Sequence, residues 1–306
     1  DRPEYFGIGG ETQQKVKVKE YIALIKANQP LQRLMVAGAG CKLALAIATN
    51  TAVLCMLYGG MMGNYDALYL PMMILGYVFS APFFVLTIRT SQKHGQKASL
   101  MRYVAVALVM YIGVLVLLLL WNPENPAFNL ALYSMEGGFH LTINLYTILF
   151  ILFFGIGYGA YYATADMPIP MVADCSDYET YRSGKYVPGI IGTLFSLVDK
   201  LVSSLSSTIV GMAAAAIGFT TTLPGGDDPF RPGMNWVVII LFCVVPMVAW
   251  AATLIAMKGY SLTGDKMKEI QAVNACRHDA VANGMKLEEA MEKWQTIDQL
   301  PEQYRA

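Results

Sequence analysis

The sequence predicts an all-α membrane protein with six transmembrane helices and amphipathic cytoplasmic helices at both ends. Hydrophobic residues make up 55% of the chain and charged residues 14%, whereas soluble domains carry about a quarter charged residues. The apolar residues fall into six blocks, each near the ~20 residues that cross a bilayer as a helix. Residues 103–121, YVAVALVMYIGVLVLLLLW, contain no charge, which argues against a soluble bundle with buried core helices.

These blocks set the predicted domain boundaries. The six spans are predicted at 31–59, 67–89, 101–121, 141–165, 188–218 and 234–257. Together they form one transmembrane bundle over residues 31–258. Residues 1–30 are predicted to be a cytoplasmic linker with a helix at the membrane interface, which the amphipathic stretch at 11–29 favours. Residues 259–306 are predicted to be a cytoplasmic helical tail.

The positive charges orient the chain in the membrane. Of 22 lysines and arginines, Lys42 and Lys200 lie deep within predicted spans, and Arg231 lies in a loop on the opposite side from the others. The remaining 19 (22 − 3) lie in or beside the N-terminal segment, the 89–102 loop, the 182–185 loop and the tail. Because positively charged loops stay cytoplasmic, both ends of this chain are predicted to face the cytoplasm.

Composition and spacing argue against several other classes of function. The net charge is zero and no arginine-rich stripe is present, so no nucleic-acid partner is expected. The five cysteines have no paired spacing, and the three histidines lie in different loops or in the tail, so neither a metal site nor a cofactor is expected. Hydrolysis would require a nucleophile with its base, a paired acid and base, or a metal. The chain is therefore predicted not to be an enzyme and to have no catalytic residues.

The fifth span carries the most informative charges. Asp199 and Lys200 lie near its middle, and a charge inside a membrane usually marks an ion or substrate pathway. Adjacent residues on a helix do not face each other, so each is expected to pair with a group from another helix. The functional interpretation is that Lys200 lines a polar cavity. The alternative is a structural ion pair that bridges two helices.

Polar residues in the first span are a second group of pathway candidates. Lys42 lies about eleven residues into that span, from where it could contribute to a pathway or extend toward the cytoplasmic surface. Asn50 follows on the same span. An amide at that depth suits hydrogen bonding to a polar solute, and it equally suits a contact between helices.

Glycines, prolines and tyrosines make the fourth span irregular. Three alternate glycines and then Pro168 and Pro170 predict a flexible, kinked helix. Irregular backbone at membrane depth is tolerated only where protein buries it or where it lines a cavity. Tyrosine rings in this region could stack on a sugar and donate hydrogen bonds, or they could anchor the helix at the interface. The candidates are Tyr158, Tyr161 and Tyr162.

Three motifs resemble a known transporter family. They are MVADCSDYETY at 171–181, Lys200 in FSLVDKLVSS, and YSLTGDKMKEIQ at 260–271. They resemble the melibiose-carrier type, the glycoside–pentoside–hexuronide:cation symporters of the major facilitator superfamily. The basic loop at 89–102 also resembles that superfamily's cytoplasmic loop, although its usual acid is missing. The resemblance covers essentially the whole chain, but only as the C-terminal half of such a carrier.

The resemblance implies a function and a set of roles. Family members have twelve spans in two six-helix bundles and move a sugar or glycoside with Na⁺ or H⁺ by alternating access. Lys200 matches the family's lysine near the cation and sugar sites. The family's cytoplasmic gate corresponds here to Asp174, Asp177, Tyr178, Arg182 and Lys185. Family habit also favours a bacterial plasma (inner) membrane.

One departure from the family limits what this chain is expected to do alone. The family's cation-binding carboxylates lie on helices of the N-terminal half, so the site for the coupling cation is expected mainly outside this sequence. The expected partners are membrane lipid, a small sugar or glycoside, and an N-terminal six-helix half in the same native chain or in a separate subunit. The alternatives are a half-size carrier that needs a partner chain and a non-transporting binding or accessory subunit.

Overall fold

The computed structural model describes residues 18–134 and 138–305 of the chain, which are almost entirely helical. The helices in chain order are α1 (Val18–Ala27), α2 (Gln29–Ala48), α3 (Thr51–Leu54), α4 (Tyr65–His94), α5 (Gln96–Leu120), α6 (Leu145–Thr164), α7 (Met171–Ser183), α8 (Pro188–Ala216), α9 (Met234–Val238), α10 (Val245–Lys258), α11 (Gly264–Ala282) and α12 (Leu287–Lys293). Two π-helical segments, Cys55–Met61 and Ile239–Val244, continue α3 and join α9 to α10. Short 3-10 turns lie at Pro126–Phe128, Ile297–Gln299 and Glu302–Tyr304, and strands β1 (Tyr133–Ser134) and β2 (His140–Leu141) pair antiparallel.

Within residues 18–134 and 138–305, six helices are long and apolar enough to cross a membrane, which confirms the predicted fold class. They are Gln29–Ala48, Tyr65–His94, Gln96–Leu120, Leu145–Thr164, Pro188–Ala216 and Met234–Lys258. Their length and composition place this chain among integral membrane proteins. Of the predicted N-terminal interfacial helix, residues 18–27 are helical and the earlier residues fall outside the described part.

Two predicted spans have different boundaries in the structure. The first, predicted as continuous over 31–59, is interrupted at Thr49 and Asn50, and Asn50 caps the helix that follows. The second extends to His94, through much of the predicted 89–102 loop, and ends where Gly95 adopts a φ of 85°. Glycine adopts this left-handed region without the steric cost that other residues incur, so it ends a helix readily.

The irregularity predicted for the fourth span lies at its prolines, where residues 165–170 form a turn, and not at its glycines. Helix α6 continues past its glycines and ends at Thr164, before Pro168 and Pro170. A Cβ atom on Gly155 would lie 2.6 Å from the ring of Phe79, and one on Gly159 would lie 2.6 Å from the ring of Phe83. Small residues let neighbouring membrane helices approach closely. These glycines therefore make room for aromatic side chains of α4.

The chain divides into two compact units. The first contains the described residues up to Met35 together with Pro168–Leu197 and Gly259–Ala306, and the second contains Val36–Met167 and Val198–Lys258. In the first unit, α7 packs against α11, and α11 packs against α12. In the second, α4, α5 and α6 pack against one another, and α10 packs against α5. Buried aromatic rings fill the core of the second unit, including Tyr111, Phe242 and Trp250.

Candidate functional site

Two of the predicted intramembrane charges pair with each other. Lys42 Nζ of α2 lies 3.2 Å from Asp199 Oδ1 of α8, and their side chains are 33% and 43% exposed. The sequence predicted a partner for Asp199 on another helix, and Lys42 is that partner. Charged side chains within membrane segments commonly pair with one another in this way.

Lys200 is exposed on the next position of the same helix. Neighbouring side chains on a helix diverge by about 100°, so the ammonium of Lys200 points away from the Lys42–Asp199 pair. Within the described ranges, that pair is the only ion pair that involves any of these three residues. Two lysines against one aspartate leave one positive charge, which Lys200 presents at the surface of a predicted span.

The hydroxyl groups near these charges bond to their own helix. Ser203 Oγ donates to the backbone oxygen of Asp199 at 2.9 Å, and Ser206 Oγ donates to that of Ser203 at 2.7 Å. Serine commonly satisfies its hydroxyl in this way inside a helix. These two hydroxyl groups are therefore satisfied within α8.

Asn50 has a defined structural role at the interruption of the first span. Its side-chain oxygen accepts a hydrogen bond from the backbone N–H of Ala52 at 3.0 Å. Asparagine is among the preferred residues for capping the first turn of a helix. The amide predicted to meet a solute therefore also starts the second part of this span.

The three candidate tyrosines of α6 differ in accessibility. Tyr161 is 2% exposed, and its ring packs 5.8 Å from that of Tyr111 and 5.3 Å from that of Trp250. Tyr158 is also buried, whereas Tyr162 is partly exposed. A solute can stack only on a ring that it can reach, so Tyr162 is the most accessible of the three.

The acids of α7 lie in a partly buried environment. Burial and the neighbouring charge of Asp177 raise the pKa of Asp174 from 3.8 to about 6. Burial also raises the pKa of Asp177, although a hydrogen bond from Gln271 opposes this shift. A positively charged partner would favour the ionised form of both groups.

The raised pKa of Asp174 predicts a pH-dependent stability. Its folded-state pKa of about 6 lies above the ordinary 3.8. The contribution of Asp174 to the free energy of unfolding is therefore fully present below about pH 4, and it is lost as the pH rises through about 6. We expect the temperature at the midpoint of thermal unfolding, measured for the chain in detergent, to decrease as the pH is raised from about 4.5 to 7.5. The decrease should be smaller in Asp174→Asn.

Asp279→Asn is the control for this experiment. Hydrogen bonds from Tyr304 and His278 lower the pKa of Asp279 below 3.8. The contribution of Asp279 to the free energy of unfolding is present above its ordinary pKa and changes only at more acidic pH. The control should therefore keep the wild-type slope, and an unchanged slope in Asp174→Asn would contradict the prediction.

A buried carboxylate that the sequence reasoning did not identify lies beside these acids. Glu179 is 2% exposed. It accepts a hydrogen bond from Asn28 Nδ2 at 3.2 Å, and two from Arg182, at 2.7 Å from Nη2 and 3.3 Å from Nε. Asn28 is fully buried and also donates to the backbone oxygen of Cys175. The predicted gate residue Arg182 is thus engaged with its own helix.

Removing this buried carboxylate should destabilise the protein strongly. Glu179→Leu leaves the buried Asn28 and the partly exposed Arg182 without their acceptor, and leaving a buried polar group unsatisfied costs about 1–3 kcal/mol. The matched control is Thr180→Ala on the same helix, which removes one hydrogen bond and should cost about 0.5–1.5 kcal/mol. Chemical unfolding in detergent measures both values. A similar cost for the two variants would refute a central role for Glu179.

The remaining predicted gate residues lie near the end of α7. Tyr178 is partly exposed, and its ring lies 6.4 Å from that of Tyr181. Lys185 is exposed just beyond Gly184, which ends the helix with a φ of 71°. Tyr181 is held in place by its hydroxyl, which donates to the backbone oxygen of Gln295 at 2.7 Å. The basic side chain of Lys185 is therefore displayed beside a well-anchored helix end.

Comparisons with known proteins agree with the resemblance seen in the sequence. Residues 10–264 match the family described as MFS/sugar transport protein. The chain is 34% identical over 110 residues to an uncharacterized 29.9 kDa protein in the crtE 3' region of Pseudescherichia vulneris. It is 28% identical over 100 residues to the putative glycoside/cation symporter YagG of Escherichia coli strain K12.

These two alignments cover only parts of the proteins compared. They include 36% and 33% of this chain, and the chain spans 39% and 21% of the respective relatives. The family match covers far more of the chain than either alignment. It is a match to transport proteins, in agreement with the expectation that the chain is not an enzyme. This six-span chain belongs to the MFS/sugar transport protein family.

Proposed function

We propose that this chain is the C-terminal six-helix half of a cation-coupled sugar or glycoside symporter that works by alternating access. The observation that carries the proposal is the arrangement of charges in the membrane. Lys42 and Asp199 neutralise each other, while Lys200 presents a charge on the same span as Asp199, on a different side of the helix. The family match and the name of the Escherichia coli relative, a putative glycoside/cation symporter, support the type of solute and the coupling.

In this proposal the six helices form one wall of the solute cavity. Carriers built from repeats bind solute near the bilayer midplane, between two bundles. Lys200, Asp199, Lys42 and Asn50 would line the pathway, with the accessible ring of Tyr162 and, behind it, the buried Tyr158 and Tyr161 of α6. An N-terminal six-helix half, in the same native chain or in a separate subunit, would supply the opposite wall. The coupling cation, Na⁺ or H⁺, would bind mainly to carboxylates of that half.

The segment 174–185 would act as the cytoplasmic gate. Burial raises the pKa of both Asp174 and Asp177, and the neighbouring charge of Asp177 raises the pKa of Asp174 further. A basic side chain from the other half would relieve this repulsion by pairing with them when the cytoplasmic side is closed. Exposed ion pairs are each worth about 0–1 kcal/mol, which suits a gate that must open again.

The same proposal places the protein in the membrane of a bacterium. The distribution of lysine and arginine supports an orientation with both ends of this chain in the cytoplasm. Both curated relatives come from bacteria, which supports the plasma (inner) membrane as the location.

Solute flux tests the proposal directly. The native protein is reconstituted into vesicles, and uptake of radiolabelled glycosides is measured with an imposed Na⁺ gradient, an imposed H⁺ gradient, or neither. We expect accumulation above the external concentration with one of the two gradients. Binding of a glycoside without flux would instead identify a non-transporting binding subunit.

A further inference from the structure

Helix α4 contributes exposed aromatic rings beside the tyrosines of α6. Tyr77 is 45% exposed and Phe84 is 42% exposed. They are seven residues apart and therefore lie on the same face of α4. The sequence reasoning considered only the rings of α6 and did not single out either residue.

These rings form one continuous cluster with Tyr162. The ring centroid of Tyr162 lies 5.6 Å from that of Tyr77 and 6.0 Å from that of Phe84, with interplanar angles of 76° and 88°. Tyr158 stacks beneath Tyr162 at 5.4 Å and meets Tyr77 edge-on at 6.0 Å. Edge-to-face and stacked contacts of this kind are favourable and fix the relative orientation of the rings.

Close packing of α4 against α6 holds the cluster in place on its buried side. A Cβ atom on Gly76 would lie 3.0 Å from the ring of Tyr158. The backbone of α4 therefore lies directly against Tyr158, next to the position that displays Tyr77. A rigid support of this kind lets a binding surface keep its shape before the ligand arrives.

The polar groups of the cluster distinguish it from a surface that only contacts lipid. The exposed aliphatic residues Ile74, Val78 and Val85 lie further round α4, roughly 60–120° from the two aromatic residues, whereas Leu70 and Ile88 lie nearer, roughly 20–40° away. Tyr77 and Phe84 instead occupy the edge of the exposed face that borders α6. Asp166 is exposed four residues after Tyr162, in the turn that follows α6, and adds a carboxylate at that end of the cluster.

This combination of groups matches the two kinds of surface on a sugar. One face of a pyranose ring presents C–H groups that contact the electron-rich face of an aromatic ring, while the hydroxyl groups at its edge need hydrogen-bond partners. Tyrosine provides a rigid contact area with a polar tip at a low entropic cost. Ligand sites typically combine aromatic walls with a few polar groups that fix orientation.

We propose that Tyr77, Phe84 and Tyr162 form a platform that binds the pyranose ring of the transported solute, with Asp166 accepting hydrogen bonds from its hydroxyl groups. The inference rests on the proposed function and extends it, because it names Tyr77 as a residue that determines specificity. Tyr158 and Tyr161 support the platform from the buried side.

The test measures the KM for uptake in vesicles that contain the native full-length carrier. The probes are radiolabelled methyl α-D-glucopyranoside, methyl β-D-galactopyranoside, methyl β-D-xylopyranoside and D-glucuronate. For the probe with the fastest wild-type uptake, Tyr77→Ala should raise KM at least about tenfold and Tyr77→Phe less than about threefold. The matched control is Val78→Ala, an exposed neighbour on the aliphatic side, which should keep the wild-type KM.

KM does not depend on the amount of inserted protein, so a folding defect cannot imitate the expected effect. A wild-type KM in Tyr77→Ala, with uptake intact, would overturn the platform and leave the proposed function standing. A second measurement follows alkylation of Tyr77→Cys by N-ethylmaleimide with each probe present. If a probe slows the alkylation of Tyr77→Cys but is not taken up, the platform would be supported and symport contradicted. If none of the four probes is taken up and none slows the alkylation, both the platform and the proposed function would be overturned.

Discussion

Lys200→Ala should abolish accumulation of solute against its gradient while leaving membrane insertion intact. The ammonium of Lys200 is exposed on a predicted span, and among the described residues it forms no ion pair. A charge at the centre of a membrane helix costs about 2.5–3.5 kcal/mol. Removing it therefore favours insertion, and what is lost is its interaction with the solute or with the opposite half.

The expected loss of uptake is large. Removing one member of a desolvated charge interaction costs about 2–5 kcal/mol, so the initial rate of coupled uptake should fall at least about thirtyfold. Lys200→Arg keeps the charge and should retain part of the activity. Lys268→Ala, an exposed lysine on α11, should behave as wild type. Normal accumulation by Lys200→Ala would rule out the assignment of Lys200 to the cavity.

The sequence predicted the spans well because their signal is local. A block of about 20 apolar residues is sufficient to indicate a membrane helix, and all six predicted blocks correspond to helices of sufficient length. The interruption at Asn50 was not foreseen because apolar residues continue on both sides of the short polar segment 49–51. An N-cap becomes visible only when the backbone N–H of Ala52 is seen to donate to it.

The contacts between distant residues could not be predicted in the same way. Lys42 and Asp199 are far apart in the chain, and no periodicity links a residue on one helix to its partner on another. The burial of Glu179 was missed because the surrounding sequence is polar, so its contact with Asn28 depends on tertiary packing. The accessibility of Tyr162 and the burial of Tyr161 also depend on tertiary packing. These residues are adjacent and chemically identical, and they differ only in what packs against them.

Separating the structural role of the Lys42–Asp199 pair from its role in transport requires a double variant. Asp199→Asn leaves Lys42 without its partner, and Lys42→Met does the same to Asp199. Breaking a fully buried pair costs about 3–5 kcal/mol. Because these side chains are 33% and 43% exposed, we expect a smaller loss for each single variant, about 1–3 kcal/mol.

The double variant Lys42→Met/Asp199→Asn should recover most of this stability, because replacing both partners of an ion pair leaves no unpaired charge. Unfolding in detergent measures the free energies of unfolding of the two single variants and of the double variant. If the double variant loses as much stability as the two single variants together, direct pairing would be contradicted. Uptake by the stable double variant then tests function. If the pair belongs to the solute pathway, the rate should fall at least about tenfold even though the fold is restored. Wild-type uptake would mean that the pair only holds α2 against α8, and that Lys200 is the functional charge on these two helices.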